Sequence, residues 1–220
     1  MKKHKNVATI FSKFFLILLI LIFGFMISAE AKTNSAKPVI VVLDAGHGGR
    51  DSGAVGNGLQ EKEMTLSIVL SAKKYFDQDR RFKVYYTRTT DKTVSLKSRY
   101  SLANKKNADL YISIHINSYS SSSEGTSTLY NAKRNSKTKK NGHTNKSLAK
   151  AMQKTFASVT GFPNRGIVDR SDLITIGHTK MPSCMIEVGF ISNKSEAKKM
   201  KKNLKSYGKT LYQAIVKYCY

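Results

Sequence analysis

Three side chains stand where ordinary packing would not put them. His47 lies in Asp44-Ala45-Gly46-His47-Gly48-Gly49, directly after the apolar run 39–43. His115 falls near the end of a second such run, Leu110 to Asn117, and Glu187 interrupts a third, Ser183 to Phe190. A carboxylate among apolar residues is rarely buried unless it is paired, bound to metal or used in chemistry. Two imidazoles and a carboxylate around an open coordination position form the catalytic zinc pattern, in which bound water has a pKa of about 7. Metal-assisted hydrolysis also needs a carboxylate that takes the water proton and returns it to the leaving amine. Glu61, Glu63, Glu187, Asp44 and Asp51 are the candidates, and spacing does not choose among them. The sequence holds no His-Glu-x-x-His pair, so a non-enzymatic wall-binding domain stays open beside a zinc hydrolase.

These residues need strands that end at one edge. Val39, Ile40, Val41, Val42 and Leu43 suit a strand buried on both faces. In an open α/β sheet, the carboxyl ends of parallel strands meet in one crevice. From Glu61 the period changes: Met64, Ile68, Ala72, Tyr75 and Phe76 predict a helix, with Glu61 and Glu63 in the first turn, where acids suit its dipole. Residues 82–87 alternate like a strand, and Ser95 caps a second helix with Leu96, Tyr100 and Ala103 inward. Residues 118–123 form a loop, 125–130 a strand and 131–143 a basic loop. Leu148, Met152 and Phe156 mark a third helix, ended by Gly161-Phe162-Pro163. A short strand is predicted at 172–176, then a turn holding His178, then two closing helices at 193–204 and 207–219. The expected fold is an α/β three-layer sandwich, with a mostly parallel or mixed central sheet and helices on both faces.

Residues 1–31 read as a signal peptide: Lys2, Lys3, Lys5 and Lys13, an apolar run over 14–27, then Ala29-Glu30-Ala31, with cleavage after Ala31. That run is shorter than the roughly 20 residues that span a bilayer. Residues 32–38 form a polar leader, and 39–220 suffice for one domain. Without the four lysines and one glutamate of 1–31, 34 basic and 13 acidic residues leave a net charge of +21. Such a charge speaks of partners more than of fold. For an exported chain it points to anionic cell-wall polymers, not nucleic acid. The expected setting is secreted, at the cell wall or in the periplasm, with no membrane span in the mature chain and a monomeric protein. Cys184 and Cys219 are too few for a disulfide scaffold and are expected as free thiols.

Residues 39–219 resemble the type 3 family of N-acetylmuramoyl-L-alanine amidases, secreted zinc enzymes that cut peptidoglycan. Four motifs carry the likeness: Asp44 to Gly49, Glu61-Lys62-Glu63-Met64-Thr65-Leu66, Ser113-Ile114-His115-Ile116-Asn117, and Met181 to Asn193. The resemblance implies that His47, Glu61 and His115 bind Zn2+ and that Glu187 is the catalytic acid/base. It thereby selects Glu61 over Glu63 and makes 39–220 a catalytic amidase domain. The implied reaction is hydrolysis of the amide between N-acetylmuramic acid and L-alanine. Asn117, on the same side of its strand as His115, and His178 are expected to contact substrate, and Asp44 to orient a ligand histidine. The family often has proline where this chain has Ala45. A non-catalytic basic wall-binding protein and a different secreted zinc peptidase are the alternatives.

Overall fold

The computed structural model describes residues 37–133 and 142–220. The predicted signal peptide, most of the polar leader and residues 134–141 of the basic loop lie outside the described residues. Val39–Ala45 forms β1, Phe82–Tyr86 β4, Leu110–Asn117 β5, Thr126–Tyr130 β6, Asn164–Asp169 β7 and Ser183–Phe190 β8. They make one six-stranded sheet in the order β4-β1-β5-β8-β6-β7. The first four are parallel to one another; β6 runs antiparallel to β8, and β7 parallel to β6. The sheet is therefore mixed. The two-residue strands β2 (Val55–Gly56) and β3 (Leu59–Gln60) form a separate hairpin within the glycine-rich stretch. Asn57 and Gly58 join them with φ of 50° and 71°, the left-handed pair a tight hairpin turn requires.

The helices are α1 (Glu61–Phe76), α2 (Leu96–Lys105), α3 (Asn145–Thr160), α4 (Ile174–Gly177) and α5 (Lys194–Cys219). Alternation along the strands sends Val41, Leu43, Ile112, Ile114, Ile186 and Val188 to one face, where they pack with Met64 and Ile68 of α1, Met152 and Phe156 of α3, and Leu211 and Ile215 of α5. The opposite face has a smaller apolar cluster, with Val42, Tyr111 and Met185 against Ala103 of α2 and Ile176 of α4. This is a three-layer α/β sandwich.

The structure corrects three expectations. Residues 172–176 are not a strand; Leu173 N bonds back to Arg170 O, and Ile174–Gly177 is one helical turn. The missing strand is β7, an edge strand whose residues are exposed or half-buried, so it carries no apolar alternation to read. The two closing helices are one helix of 26 residues. Gly208 lies within it because α1 passes so close that a Cβ there would stand 2.4 Å from Ser71 Cβ. Both cysteines are free thiols, as expected.

Candidate metal centre and active site

At the end of β1 the chain turns back on itself. His47 has φ of 60°, in the left-handed region that non-glycine residues seldom adopt outside constrained sites. A Cβ on Gly48 would stand 2.5 Å from Lys92 O, so the turn and its neighbour fit only without one. A bridge between Gly48 and Asp51 completes the reversal and sets Asp51 Oδ2 2.8 Å from His47 Nδ1. Asp51 Oδ1 in turn accepts from Gly53 N at 3.0 Å. The other ring nitrogen, Nε2, lies 3.2 Å from Glu61 Oε2.

Glu61 opens α1 and is buried, whereas Glu63, two residues on, is exposed. The Glu61 carboxylate accepts Ile116 N on one oxygen and Ala54 N on the other, both at 2.9 Å. His115 Nδ1 lies 2.9 Å from Glu61 Oε1. Burial opposes ionisation of Glu61, yet the bonds from His115 and His47 hold its carboxyl well below the usual range. His47 is likewise disfavoured as a cation by burial, and the Glu61 and Asp51 carboxylates more than reverse this, raising it to about 9. One ligand atom from each of His47, Glu61 and His115 lies within 4.8 Å of the others. Gly46 clears the space, since a Cβ there would meet His115 Cε1 at 2.5 Å. With Nδ1 of His47 engaged by Asp51, its Nε2 is the nitrogen left for a metal, which needs the neutral imidazole.

Glu187 pairs directly with His115 across the β5–β8 register. Its Oε2 is buried and makes no hydrogen bond. Burial, to which the Glu61 charge adds, pushes its carboxyl up to about 7 against the opposing pull of His115 and His47. His47, His115, Glu187, Arg170, Leu173 and Met185 line one cavity of about 460 Å³, with Leu96 and Arg99 of α2 also on its wall.

Beneath the cavity Asp44, fully buried, accepts four hydrogen bonds: Thr87 Oγ1 at 2.6 Å, and Arg99 Nη1, Tyr111 OH and Ser113 Oγ each at 2.7 Å. Asp44 thus touches neither histidine; Arg99 carries its influence, donating to His47 O at 2.7 Å, while the carboxylate that orients a ring is Asp51. Arg88, also buried, donates to Ala45 O at 2.9 Å and Gly46 O at 2.8 Å. Neither arginine was expected here. On α2 the inward residues are Arg99 and Ala103, whereas Leu96 is 51% exposed, so the apolar stripe of that helix misleads.

Asn117 and His178 are not among the residues lining the cavity. Asn117 Oδ1 caps its own strand end, accepting Ser118 N at 2.8 Å. His178 is exposed, stacked on Tyr100 with ring centroids 5.0 Å apart, and its Nδ1 lies 2.9 Å from Ile174 O. The stacking holds it beside α2, one element along from the cavity wall formed by Leu173 and Ile174.

A buried carboxylate between two imidazoles, with a second carboxylate left unpartnered in the same crevice, is the donor set of a metal-dependent hydrolase on an α/β fold. Residues 41–217 match the N-acetylmuramoyl-L-alanine amidase family, Amidase_3, and the chain belongs to that family. It is a hydrolase of the amide C–N bond. It is 35% identical over 179 residues to the N-acetylmuramoyl-L-alanine amidase LytC of Bacillus subtilis, a match covering 80% of this chain and 34% of LytC. It is 34% identical over 180 residues to the uncharacterised protein YqiI of the same organism, covering 80% of this chain and 84% of YqiI. Among solved structures, the catalytic domain of the amidase CwlV from Bacillus (Paenibacillus) polymyxa superposes with a TM-score of 0.74 at 34% identity, covering 82% of this chain and 98% of that domain. The chain therefore spans most of YqiI and about a third of LytC.

Proposed function

We propose that this chain is an exported zinc-dependent N-acetylmuramoyl-L-alanine amidase of peptidoglycan, in which His47, Glu61 and His115 hold the metal and Glu187 is the general acid/base. Two imidazoles and one carboxylate support zinc over harder cations, which prefer all-oxygen sites. Bound there, zinc supplies a Lewis acid for the amide carbonyl and brings the pKa of water to about 7. The observation that carries the assignment of Glu187 is its buried Oε2, without a hydrogen-bond partner beside His115.

Glu187 then takes the proton of the attacking water on that oxygen and delivers it to the departing L-alanine nitrogen, so the carboxylate is regenerated in each cycle. Burial raises this carboxyl above the ordinary carboxylate range, the direction needed by a group that must both take and return a proton. Asp51 fixes the His47 ring, and Arg99 with Arg88 fixes the backbone carbonyls of the turn that carries it. Leu96, Leu173 and Met185 give the crevice an apolar wall on which sugar and peptide rest. Every group in this scheme comes from one chain, which suits a monomer. Action in the wall agrees with the sequence's signal-peptide pattern and net positive charge, and no helix of the described residues is long and apolar enough to cross a membrane.

One mass spectrum of digested sacculi tests the reading. The expected products are stem peptides with a free L-alanine amino terminus and glycan with a free lactyl carboxylate. New amino termini beyond the first alanine would make the chain a peptidase. Wall binding without any new terminus would make it a binding protein.

A further inference from the structure

Helices α3 and α5 lie on the face of the sheet opposite the crevice and pack against each other through Leu148, Met152, Leu211 and Ile215. Outward they carry eleven exposed lysines: Lys146, Lys150 and Lys154 on α3, and Lys194, Lys198, Lys199, Lys201, Lys202, Lys205, Lys209 and Lys217 on α5. The only acid on either helix, Glu196, is buried and accepts the backbone N–H groups of Gly125 and Phe190 at 2.7 Å each. Among the described residues no carboxylate pairs with any of the eleven.

Such an arrangement opposes folding. Lys146/Lys150, Lys150/Lys154, Lys194/Lys198, Lys198/Lys202, Lys201/Lys205 and Lys205/Lys209 are like charges at i,i+4, the spacing at which a glutamate would have stabilised the helix. The stripe Lys194, Lys198, Lys201, Lys205, Lys209 follows the side of α5 toward α1, a charge every three or four residues, or about 5–6 Å, and Lys205 and Lys209 border a groove there with Glu63 and Lys74 of α1. We infer that the outward face of α5, continued by the lysines of α3, is a second binding surface, for a linear phosphodiester-linked polymer of the cell wall, which tethers the enzyme by one side of the sheet while the crevice on the other side works.

The chemistry favours such a polymer over a lipid surface. A helix that lies on a membrane inserts an apolar face. The apolar face of α5 (Met200, Tyr207, Leu211, Ile215) is already buried in the core, so only charge is left to offer. A flexible chain of phosphates can follow a lysine stripe and release its counterions. The choice of a wall polymer rests on the cell-wall function proposed above; the binding itself needs none of the catalytic residues.

The test is a salt series of binding to purified walls, before and after hydrofluoric acid removes their phosphodiester polymer. The full chain is compared with its Lys198→Gln/Lys201→Gln/Lys205→Gln/Lys209→Gln variant. The expected results are at least tenfold weaker binding to stripped walls, at least tenfold weaker binding by the variant at physiological salt, and a log–log salt slope shallower by about 3. Melting temperature should be unchanged or higher, since repulsion is relieved, and turnover of a soluble muramoyl-peptide fragment should be unchanged. Undiminished binding to stripped walls, or wild-type binding by the variant, would overturn the inference. Tighter retention on anionic vesicles or duplex DNA than on intact walls would overturn the choice of partner. Turnover of the soluble fragment is read separately, so failure of the amidase reading would show there and not in the binding series.

Discussion

On one face of the sheet, Ile112, Ile114, Ile186 and Val188 meet α1, α3 and α5 through apolar side chains alone; on the other, Asp44, Ser113, His115 and Glu187 of the same strands face buried arginines and a cavity. The two faces are one residue apart in register, so a slip by one would exchange them. Burial on the first face is stabilising in itself. On the second it is tolerated because Arg99 pairs with Asp44 and both arginines donate to the turn carbonyls, while Glu187 Oε2 is left without a partner. This fold draws most of its apolar burial from one side of the sheet and places its chemistry on the other.

Substitutions of similar cost should therefore behave differently on the two sides. Phe156→Ala, fully buried on the apolar face, should lose about 3–5 kcal/mol in denaturant unfolding while kcat per folded molecule stays unchanged. Arg99→Met should lose a comparable 3–5 kcal/mol, because it strands a buried Asp44 charge, and should lower kcat as well by releasing the His47 carbonyl. Burial opposes ionisation of Asp44, and Arg99 and its other donors more than compensate, holding it below its ordinary 3.8. Its contribution is accordingly present above that value and lost as pH falls through the folded pKa. An Arg99→Met enzyme with unaltered kcat would break the comparison.

A smaller effect is expected from Asp51→Ala, which should weaken metal binding 10- to 100-fold in a competition titration. Its metal-free stability should change by less than about 1 kcal/mol, since the Asp51 side chain is 60% exposed. Glu187 carries a cost of a different kind, one that depends on pH. Its folded pKa of about 7 against an ordinary 4.5 means that the folded state holds the proton more tightly. The favourable contribution is full below pH 4.5 and is lost as pH rises through 7. Metal-free Glu187→Gln should thus be up to about 3 kcal/mol more stable than wild type at pH 8, and no more stable at pH 4. A gain that does not vary with pH would mean that packing, not charge, is responsible.

The apolar side was legible in the sequence because its elements obey the periods of strand and helix: Val41 with Leu43, Met64 with Ile68, and Leu148 with Met152 and Phe156 all pack where their spacing places them. The polar side was legible only at its exceptions. His47, His115 and Glu187 stood out as residues that packing did not need, but Glu61 could be told from Glu63 only through the family resemblance. Arg99 was hidden because periodicity counts a buried arginine as a solvent residue. Strand β7 was hidden because an exposed edge has no apolar face to pattern. The stacking of His178 on Tyr100 was hidden because a histidine in a turn near a site says nothing about which way its ring lies.

The measurement that bears most directly on the account is the zinc content and the sacculus turnover of Glu187→Gln, taken on the same preparation. The account predicts one zinc per chain, as in wild type, with turnover lower by about a thousandfold or more. Turnover within tenfold of wild type at full zinc occupancy would remove Glu187 from the reaction and contradict it.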